Sequence, residues 1–251
     1  MKKGIINTCL IVFIIVFLGS AAYLVHYFIQ ADETQKELQE LTELKVIEEI
    51  TEEEKQEAKE KGIDEKYIRL HKKNSDMMAW IRIPDTRIDY PVMQNKNEEE
   101  YYLHRNFKKE EDKNGLPFLT KRCDILDVNS NFLVYGHHMK SGMMFTDLMK
   151  YKEESFFRNH KEISFDTIYS SDTYRVFAAF YTDVTEGSKH FKFYEYDGSM
   201  DKELFDKYVK KVTDASMHPV EEVPQFGQTL LTLVTCSYHT KNGRFVVVAA
   251  K

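Results

Sequence analysis

The sequence predicts a mostly β fold with helical insertions: an eight-stranded, closed or nearly closed barrel with N-terminal helices and one transmembrane helix. Eight short runs rich in β-branched and aromatic residues are separated by turn signals, which favours a barrel. An uncharged N-terminal run is long enough to cross a bilayer. An amphipathic segment with helical periodicity interrupts the strands before the last two.

The first 31 residues are predicted to form a cytoplasmic N-terminus and a transmembrane signal-anchor. Ile5–Ile29 contains no Asp, Glu, Lys or Arg and is long enough to span a membrane. Lys2 and Lys3 precede this run and an acidic stretch follows it. The positive-inside rule then places the N-terminus in the cytoplasm and the bulk of the chain outside the cell.

A cleaved signal peptide is the alternative interpretation of this run. Leu10–Leu18 would be its apolar core, and Ser20-Ala21-Ala22 its small-residue cleavage site. The apolar run continues to Ile29, beyond the length of such a core, which favours an uncleaved anchor.

Residues 32–66 are predicted to be a charged helical stalk, and residues 67–251 the folded domain. The stalk holds 14 acidic and six basic side chains and is rich in good helix formers. The net charge of the chain is −6, and residues 67–251 are neutral overall. This balance argues against nucleic-acid binding. The three cysteines (Cys9, Cys123 and Cys236) are too scattered for a disulfide framework or a metal site, so free thiols are expected.

The folded domain is predicted to contain eight strands and three helical segments. The candidate strands are Trp80–Ile83, Ile88–Met93, Leu116–Thr120, Asn131–Tyr135, Ile163–Ile168, Tyr174–Tyr181, Thr229–Thr235 and Phe245–Ala249. The candidate helices are a short one from Ile68 to the Met77-Met78 pair, one over Met143–Tyr151, and a longer one over Ser199–Val212 that Ser199 would cap.

Candidate chemistry lies at strand ends. Cys236 ends a β-branched run, and Arg244 opens the next strand after a short polar turn, so a thiol and a guanidinium meet at one end of neighbouring strands. His137 and His138 follow another strand, and adjacent side chains on extended backbone point to opposite faces. His239 is a rival partner for the cysteine.

Common catalytic motifs are absent from the sequence. It contains no P-loop, Rossmann fingerprint, HExxH or GxSxG pattern. Five further histidines have polar surroundings and are predicted to be isolated surface residues: His71, His104, His160, His190 and His218.

Several motifs in order resemble those of the sortases, specifically class B. The specific elements are Thr232-Leu233-Val234-Thr235-Cys236, the Tyr135-Gly136-His137-His138 segment and Gly243-Arg244 with the strand that follows. Asn74-Ser75-Asp76, Trp80-Ile81-Arg82-Ile83-Pro84, Ile88-Asp89-Tyr90-Pro91-Val92 and Tyr101-Tyr102-Leu103 also match. The likeness runs from about Tyr67 to the last residue, and Ser199–Val212 is similar to the helix that distinguishes class B.

This resemblance implies a β-barrel cysteine transpeptidase of the Gram-positive cell surface. Cys236 would be the nucleophile, His137 the general acid and base, and Arg244 the stabilising cation, with Thr235 and Tyr238 as substrate-groove candidates. The family has Asn more often than His at position 138. Substrates would be secreted proteins with a C-terminal sorting signal of the NPQTN-like type. The acceptor would be an amine of a lipid-linked peptidoglycan precursor, or a pilin lysine. No metal or other cofactor is implied.

Three other classes of protein remain as alternatives. A papain-like hydrolase would place its cysteine near a helix start, whereas Cys236 ends a β-branched run. An L,D-transpeptidase would carry a Ser/Thr-His-Gly element before the cysteine, and the sequence before Cys236 has none. The non-enzymatic alternative is a membrane-tethered adhesion or signalling module in which Cys236 is merely buried.

Overall fold

The N-terminal unit of the molecule is a long helix. The computed structural model describes residues 2–46, 50–127 and 129–251, and it divides into one compact unit up to residue 40 and a second over residues 41–251. The helix α1 spans Lys2–Val46. Among the described residues it is the one helix long and apolar enough to cross a membrane. Its large apolar side chains from Ile6 to Ile29 are exposed, as expected of a segment whose solvent is lipid.

Two short helices, α2 (Glu52–Lys61) and α3 (Glu65–Lys73), precede the barrel. Thr51 and Glu54 form a reciprocal capping box at the start of α2, which satisfies two backbone donors there. Glu54 also accepts two hydrogen bonds from Arg69 of α3, each 2.8 Å long. Residues 47–49 of the predicted stalk lie outside the described residues. The division into a stalk (32–66) and a domain beginning at residue 67 remains a prediction.

Eight strands close into a barrel, which confirms the predicted architecture. With one further two-residue strand, β7, the described strands are β1 (Met77–Arg82), β2 (Asp89–Met93), β3 (Phe118–Leu119), β4 (Ser130–Tyr135), β5 (Glu162–Thr167), β6 (Thr173–Asp183), β7 (Gly198–Ser199), β8 (Leu230–Cys236) and β9 (Gly243–Ala250). Their order is β3-β2-β1-β5-β6-β9-β8-β4, and β3 also pairs with β4, so the sheet meets itself. The two-residue β7 is an addition on the edge of β4.

The barrel core is filled by aliphatic and aromatic side chains of the central strands. Phe165, Leu231, Leu233 and Val247 are fully buried, and Phe132 is nearly so. Most strands pair antiparallel, but β4 pairs parallel with β8 and β2 pairs parallel with β3. A parallel pair needs a long crossover, and the chain between β4 and β8 supplies one that contains most of the helical insertions.

The predicted helices are present with altered boundaries. Met77 and Met78 lie in β1 and not in a helix, since α3 ends at Lys73 and Asn74 is already extended. The segment predicted as a helix over Met143–Tyr151 is a 3₁₀ helix over Phe145–Lys152, followed by α4 (Glu154–Asn159).

The capping prediction at Ser199 is also wrong. Ser199 belongs to β7, where it pairs with β4. Asp201 caps α5 (Lys202–Ala215) instead, because its carboxylate accepts the Leu204 amide at 2.9 Å. Asp and Ser are comparable N-cap residues, so the two candidates could not be ranked by type alone.

A buried hydrogen-bond chain ties α5 to the barrel. The Tyr208 hydroxyl lies 2.6 Å from Thr232 Oγ1, and Thr232 Oγ1 donates to Asn131 Oδ1 at 2.8 Å. Asn131 Nδ2 in turn donates to the Tyr196 carbonyl at 2.9 Å. Thr232 uses its only hydrogen toward Asn131, so the Tyr208 hydroxyl is the donor to Thr232. The chain connects α5, β8 and β4.

We expect Thr232→Val to destabilise the protein more than Tyr208→Phe. The valine leaves the Tyr208 hydroxyl and the Asn131 carbonyl oxygen buried without this partner, and each unpaired group costs roughly 1–3 kcal/mol. The phenylalanine removes one bond of about 1 kcal/mol and leaves the Thr232–Asn131 bond intact. Urea unfolding of the detergent-solubilised chain, followed by fluorescence of its single tryptophan, Trp80, measures both free energies. Equal unfolding midpoints for the two variants would contradict this assignment of the donors.

Candidate active site

Three strands bring the predicted chemical groups to one edge of the barrel. The parallel pairing of β4 with β8 places Tyr135 opposite Val234, so both strands end at the same edge. His137 follows β4 there, and Cys236 is the last residue of β8. The antiparallel pairing of β8 with β9 then places Arg244 opposite Cys236. The strand register alone therefore gathers a histidine, a cysteine and an arginine.

Local hydrogen bonds hold the ends of β4 and β8 together. The Gly136 amide donates to the Val234 carbonyl at 3.0 Å, and the Thr235 hydroxyl donates to the Gly136 carbonyl at 2.8 Å. Gly136 also has to be a glycine, since an added Cβ would collide with the ring of Phe145. The chain thus reaches His137 with a fixed backbone.

A tight turn joins the cysteine to the arginine. The Ser237 amide donates to the Gly243 carbonyl at 2.9 Å, and Asn242 takes the left-handed conformation with φ 55°. Asparagine tolerates this conformation better than most residues. Arg244 Nη1 donates to the carbonyls of Asn242 and Gly243 at 3.2 and 3.0 Å. The guanidinium is therefore oriented by its own turn.

His137, Cys236 and Arg244 line one cleft of about 620 Å³. Further lining residues include Leu103, Tyr135, Thr235, Glu99 and Glu100. Cys236 is half-buried and is a free thiol. Burial raises the pKa of the Tyr135 hydroxyl, and the positive charge of Arg244 acts in the opposite direction. The cleft therefore carries a nucleophile, a titratable ring and a permanent cation.

The His137 imidazole is half-buried and has one nitrogen occupied. Its Nε2 lies 2.8 Å from the Leu103 carbonyl, which can only accept, so Nε2 carries the hydrogen. Nδ1 then holds the lone pair of the neutral ring and is the nitrogen that can gain or lose a proton. Burial lowers the pKa of His137; the bond to Leu103 opposes that effect, and the charge of His104 reinforces it.

His138 has a different environment from His137. Its Nδ1 lies 2.9 Å from the Cys236 carbonyl, and its ring lies 5.3 Å from that of Tyr238. It contacts the backbone of the cysteine and does not line the cleft. The two adjacent histidines thus divide between the cleft and the cysteine backbone.

The remaining candidate residues have clear positions. Thr235 lines the cleft, but it is buried and its hydroxyl is bonded to Gly136. Tyr238 is 76% exposed and lies outside the cleft lining. His239 Nδ1 lies 2.9 Å from the Ser237 hydroxyl, and its ring packs on Tyr181, so it too lies outside the lining.

Four of the five histidines predicted to be isolated surface residues depart from that prediction, and two of them, His71 and His160, are half-buried. His218 is buried, with Nε2 2.7 Å from the Tyr151 carbonyl and its ring stacked on Phe157. His104 is exposed, but its ring stacks on His137 at 5.5 Å between centroids and 28° between planes. His104 and His137 are far apart in the sequence, and no local pattern signals the contact.

The arrangement suits covalent acyl transfer. A cysteine thiolate can attack a carbonyl, an imidazole can carry the proton, and a guanidinium can stabilise a developing oxyanion. Among the described residues, no group of three or more His, Cys, Asp or Glu side chains could hold a metal ion.

Comparison with known proteins gives consistent matches over the same region. The profile of the sortase domain family matches residues 81–251. The chain is 32% identical over 180 residues to sortase B of Listeria monocytogenes, covering 71% of this chain and 70% of that protein. It is 31% identical over 182 residues to sortase B of Staphylococcus aureus, covering 72% of each.

Comparison of the fold with solved structures also identifies class B sortases. The crystal structure of sortase B from Bacillus anthracis in complex with AAEK1 superposes with a TM-score of 0.72 at 28% identity, covering 89% of this chain and 98% of that one. Since the family profile spans most of the chain and the relatives align across the barrel and its cleft, the chain belongs to the sortase family of cysteine transpeptidases, within class B.

Proposed function

We propose that this sortase cleaves a C-terminal sorting signal of the NPQTN-like type in secreted proteins and transfers them to an amine of a peptidoglycan precursor. The observation that carries the proposal is the common cleft of Cys236, His137 and Arg244 at one barrel edge. The membership in class B supports the substrate class.

Cys236 acts as the nucleophile in this mechanism. The thiolate is the reactive form of cysteine, and Arg244 lies opposite Cys236 in the β8–β9 pairing. Its sulfur attacks the carbonyl carbon of the scissile peptide bond, and collapse of the tetrahedral intermediate breaks the C–N bond. The product is a thioacyl-enzyme intermediate and a released amine. Two moderate barriers thereby replace one high barrier.

His137 supplies and then removes the proton. Its protonated ring donates the Nδ1 hydrogen to the leaving amine, because Nε2 remains bonded to the Leu103 carbonyl. The neutral ring then accepts a proton from the incoming amine as that amine attacks the thioester. The imidazole ends the cycle protonated, as it began.

Arg244 stabilises the oxyanion or holds a substrate carbonyl. Its guanidinium stays charged at physiological pH, so it cannot be the base. Its planar donors suit a carbonyl oxygen that gains negative charge in the transition state. The turn that orients this side chain keeps it beside Cys236.

Substrate and acceptor meet the enzyme at a membrane surface in this proposal. The N-terminal helix anchors the enzyme with its N-terminus in the cytoplasm, and the stalk (32–66) and catalytic domain (67–251) lie outside the cell. A lipid-linked acceptor would share the same membrane, and confinement raises the effective concentration of both partners. Thr235 and Tyr238 are proposed to flank the bound signal, Thr235 from the cleft lining and Tyr238 from its exposed position after the cysteine.

Replacing the proposed catalytic residues gives the direct test. Cleavage of a fluorogenic NPQTN-containing peptide by the detergent-solubilised chain should disappear in Cys236→Ala. We expect a loss of about 10²- to 10⁴-fold in His137→Ala, since an acid–base catalyst contributes that much. Arg244→Ala should lose about 10²- to 10³-fold, as expected for an oxyanion donor. Robust cleavage by Cys236→Ala would sink the proposal.

The acceptor is tested with the same enzyme. Mass spectrometry after adding a peptidoglycan-type amine or a lysine-bearing pilin peptide identifies which acceptor is joined to the cleaved signal. Joining only to the pilin peptide would assign a pilin-polymerising role instead. Hydrolysis alone, with both acceptors present, would contradict transfer to either of them.

His138→Ala should reduce turnover modestly, by about tenfold at most, because it removes one hydrogen bond worth about 1 kcal/mol to the Cys236 carbonyl. His138→Asn should restore activity, since the asparagine Nδ2 lies as many bonds from Cα as the histidine Nδ1. The kcat/KM values of both variants provide the measurement. Abolished turnover in His138→Ala, with activity retained in His137→Ala, would reverse the roles of the two histidines.

Cys123→Ala should leave turnover largely unchanged. Cys123 is fully buried between Thr120 and the Asn131 carbonyl, and burial raises its thiol pKa, which makes it a poor nucleophile. Brief alkylation followed by peptide mapping should therefore label Cys236 in preference to Cys123. Equal labelling of the two thiols, or lost activity in Cys123→Ala, would show that the second thiol takes part.

A further inference from the structure

His104 is a second imidazole beside the proposed acid–base residue. Its ring lies nearly parallel to that of His137, with centroids 5.5 Å apart and planes inclined by 28°. His104 is exposed, whereas His137 is half-buried. The outer ring therefore covers one face of the inner ring, and a proton on either ring opposes a proton on the other.

We propose that His104 is a positioning residue for His137: it covers one face of the His137 ring and, when protonated, repels a second positive charge there. The proposal rests on the acid–base role proposed for His137 and adds to it a residue that stacks on the His137 ring without itself lining the cleft. His104 would thus set how readily His137 holds the proton that it gives to the leaving amine.

The segment that carries His104 is firmly attached to the barrel. The 3₁₀ helix Tyr101–His104 includes Tyr102, which is fully buried. The Tyr102 hydroxyl accepts from Asn74 Nδ2 at 2.9 Å and donates to an Asp76 carboxylate oxygen at 2.8 Å. These bonds fix the residue directly before Leu103, whose carbonyl accepts from His137. The stacked ring and the accepting carbonyl are therefore consecutive residues of one anchored turn.

A neighbouring glycine supports the same turn. Gly115 has φ 55°, and an added Cβ would collide with the carbonyl oxygens of Tyr102 and Leu103. The Asp112 amide donates to the His104 carbonyl at 3.0 Å. The chain over residues 112–115 thus packs directly against the backbone that contacts His137.

The charged and titratable groups around His137 come from several elements. His104 and Asp112 lie on the side of the 3₁₀ helix and the segment that follows it. Cys236, Arg244, Glu99 and Glu100 line the same cleft as His137. Burial lowers the pKa of His137 most strongly; the Leu103 bond raises it, the His104 charge lowers it and Asp112 raises it. His104 therefore lowers the pKa of His137 in two ways: its ring helps to bury His137, and its charge repels a proton there.

Two substitutions separate the ring of His104 from its charge. His104→Phe keeps a flat ring on His137 and removes the positive charge. His104→Arg keeps a planar group there and makes the charge permanent. His71→Phe is the matched control, because His71 lies on α3, bonded to the Met77 carbonyl and outside the cleft.

The first readout is the titration of the His137 ring. It is followed by NMR of the detergent-solubilised full chain with labelled histidine, and the His137 signal is assigned by its loss in His137→Gln. We expect the His137 midpoint to move to higher pH in His104→Phe, because a repelling charge is gone. His104→Arg should not raise it, and His71→Phe should leave it unchanged. An unchanged midpoint in His104→Phe, or an equal rise in His104→Arg, would overturn the proposal.

The second readout is the pH profile of peptide cleavage. The protonated form of His137 is lost as pH rises through its pKa, so a higher pKa extends the acid form to higher pH. The alkaline limb of kcat/KM should therefore move upward in His104→Phe. A shifted NMR midpoint with an unshifted alkaline limb would support the link between the two histidines and would contradict the role of His137 as general acid. The two proposals therefore fail in distinguishable ways.

Discussion

The parallel pairing of β4 with β8 is the constraint on which the site depends. Parallel strands end at the same edge of a sheet, so Gly136 and Cys236 leave the barrel side by side. An antiparallel pairing would send the histidine segment to the opposite end. The hairpin from β8 to β9 then adds Arg244 by register alone. β3 closes the barrel by pairing with β4, so β4 has a partner strand on the side away from β8 as well.

Much of this arrangement could be predicted from local sequence. All eight barrel strands carry β-branched or aromatic runs, and each is found within a few residues of its predicted position. The strand-end positions of Cys236 and His137 follow from where those runs stop. Local pattern was less reliable at element boundaries. Met77 and Met78 suit a helix or a strand equally, and pairing with β2 and β5 decides for the strand.

Contacts between distant segments could not be predicted in the same way. The stacking of His104 on His137 depends on a 3₁₀ turn held by Tyr102, Asn74 and Asp76, which come from separate parts of the chain. The burial of His218 depends on Phe157 and the Tyr151 carbonyl, both distant in sequence. A histidine in a polar stretch gives no local sign of either environment. The overall function could be predicted from the family resemblance, whereas the stacking of His104 and the burial of His218 became visible only in the structure.

The crossover between β4 and β8 has a consequence for how the enzyme matures. Val234 pairs with a residue about 100 positions earlier in the chain, a long-range contact of the kind that forms slowly during folding. Until that pairing forms, the segment before Cys236 lacks the bonds that join it to Gly136. Once the barrel closes, Cys123 is sealed in the core while Cys236 stays at the cleft as a free thiol. Folding itself therefore protects one sulfur from oxidation and leaves the other available for reaction.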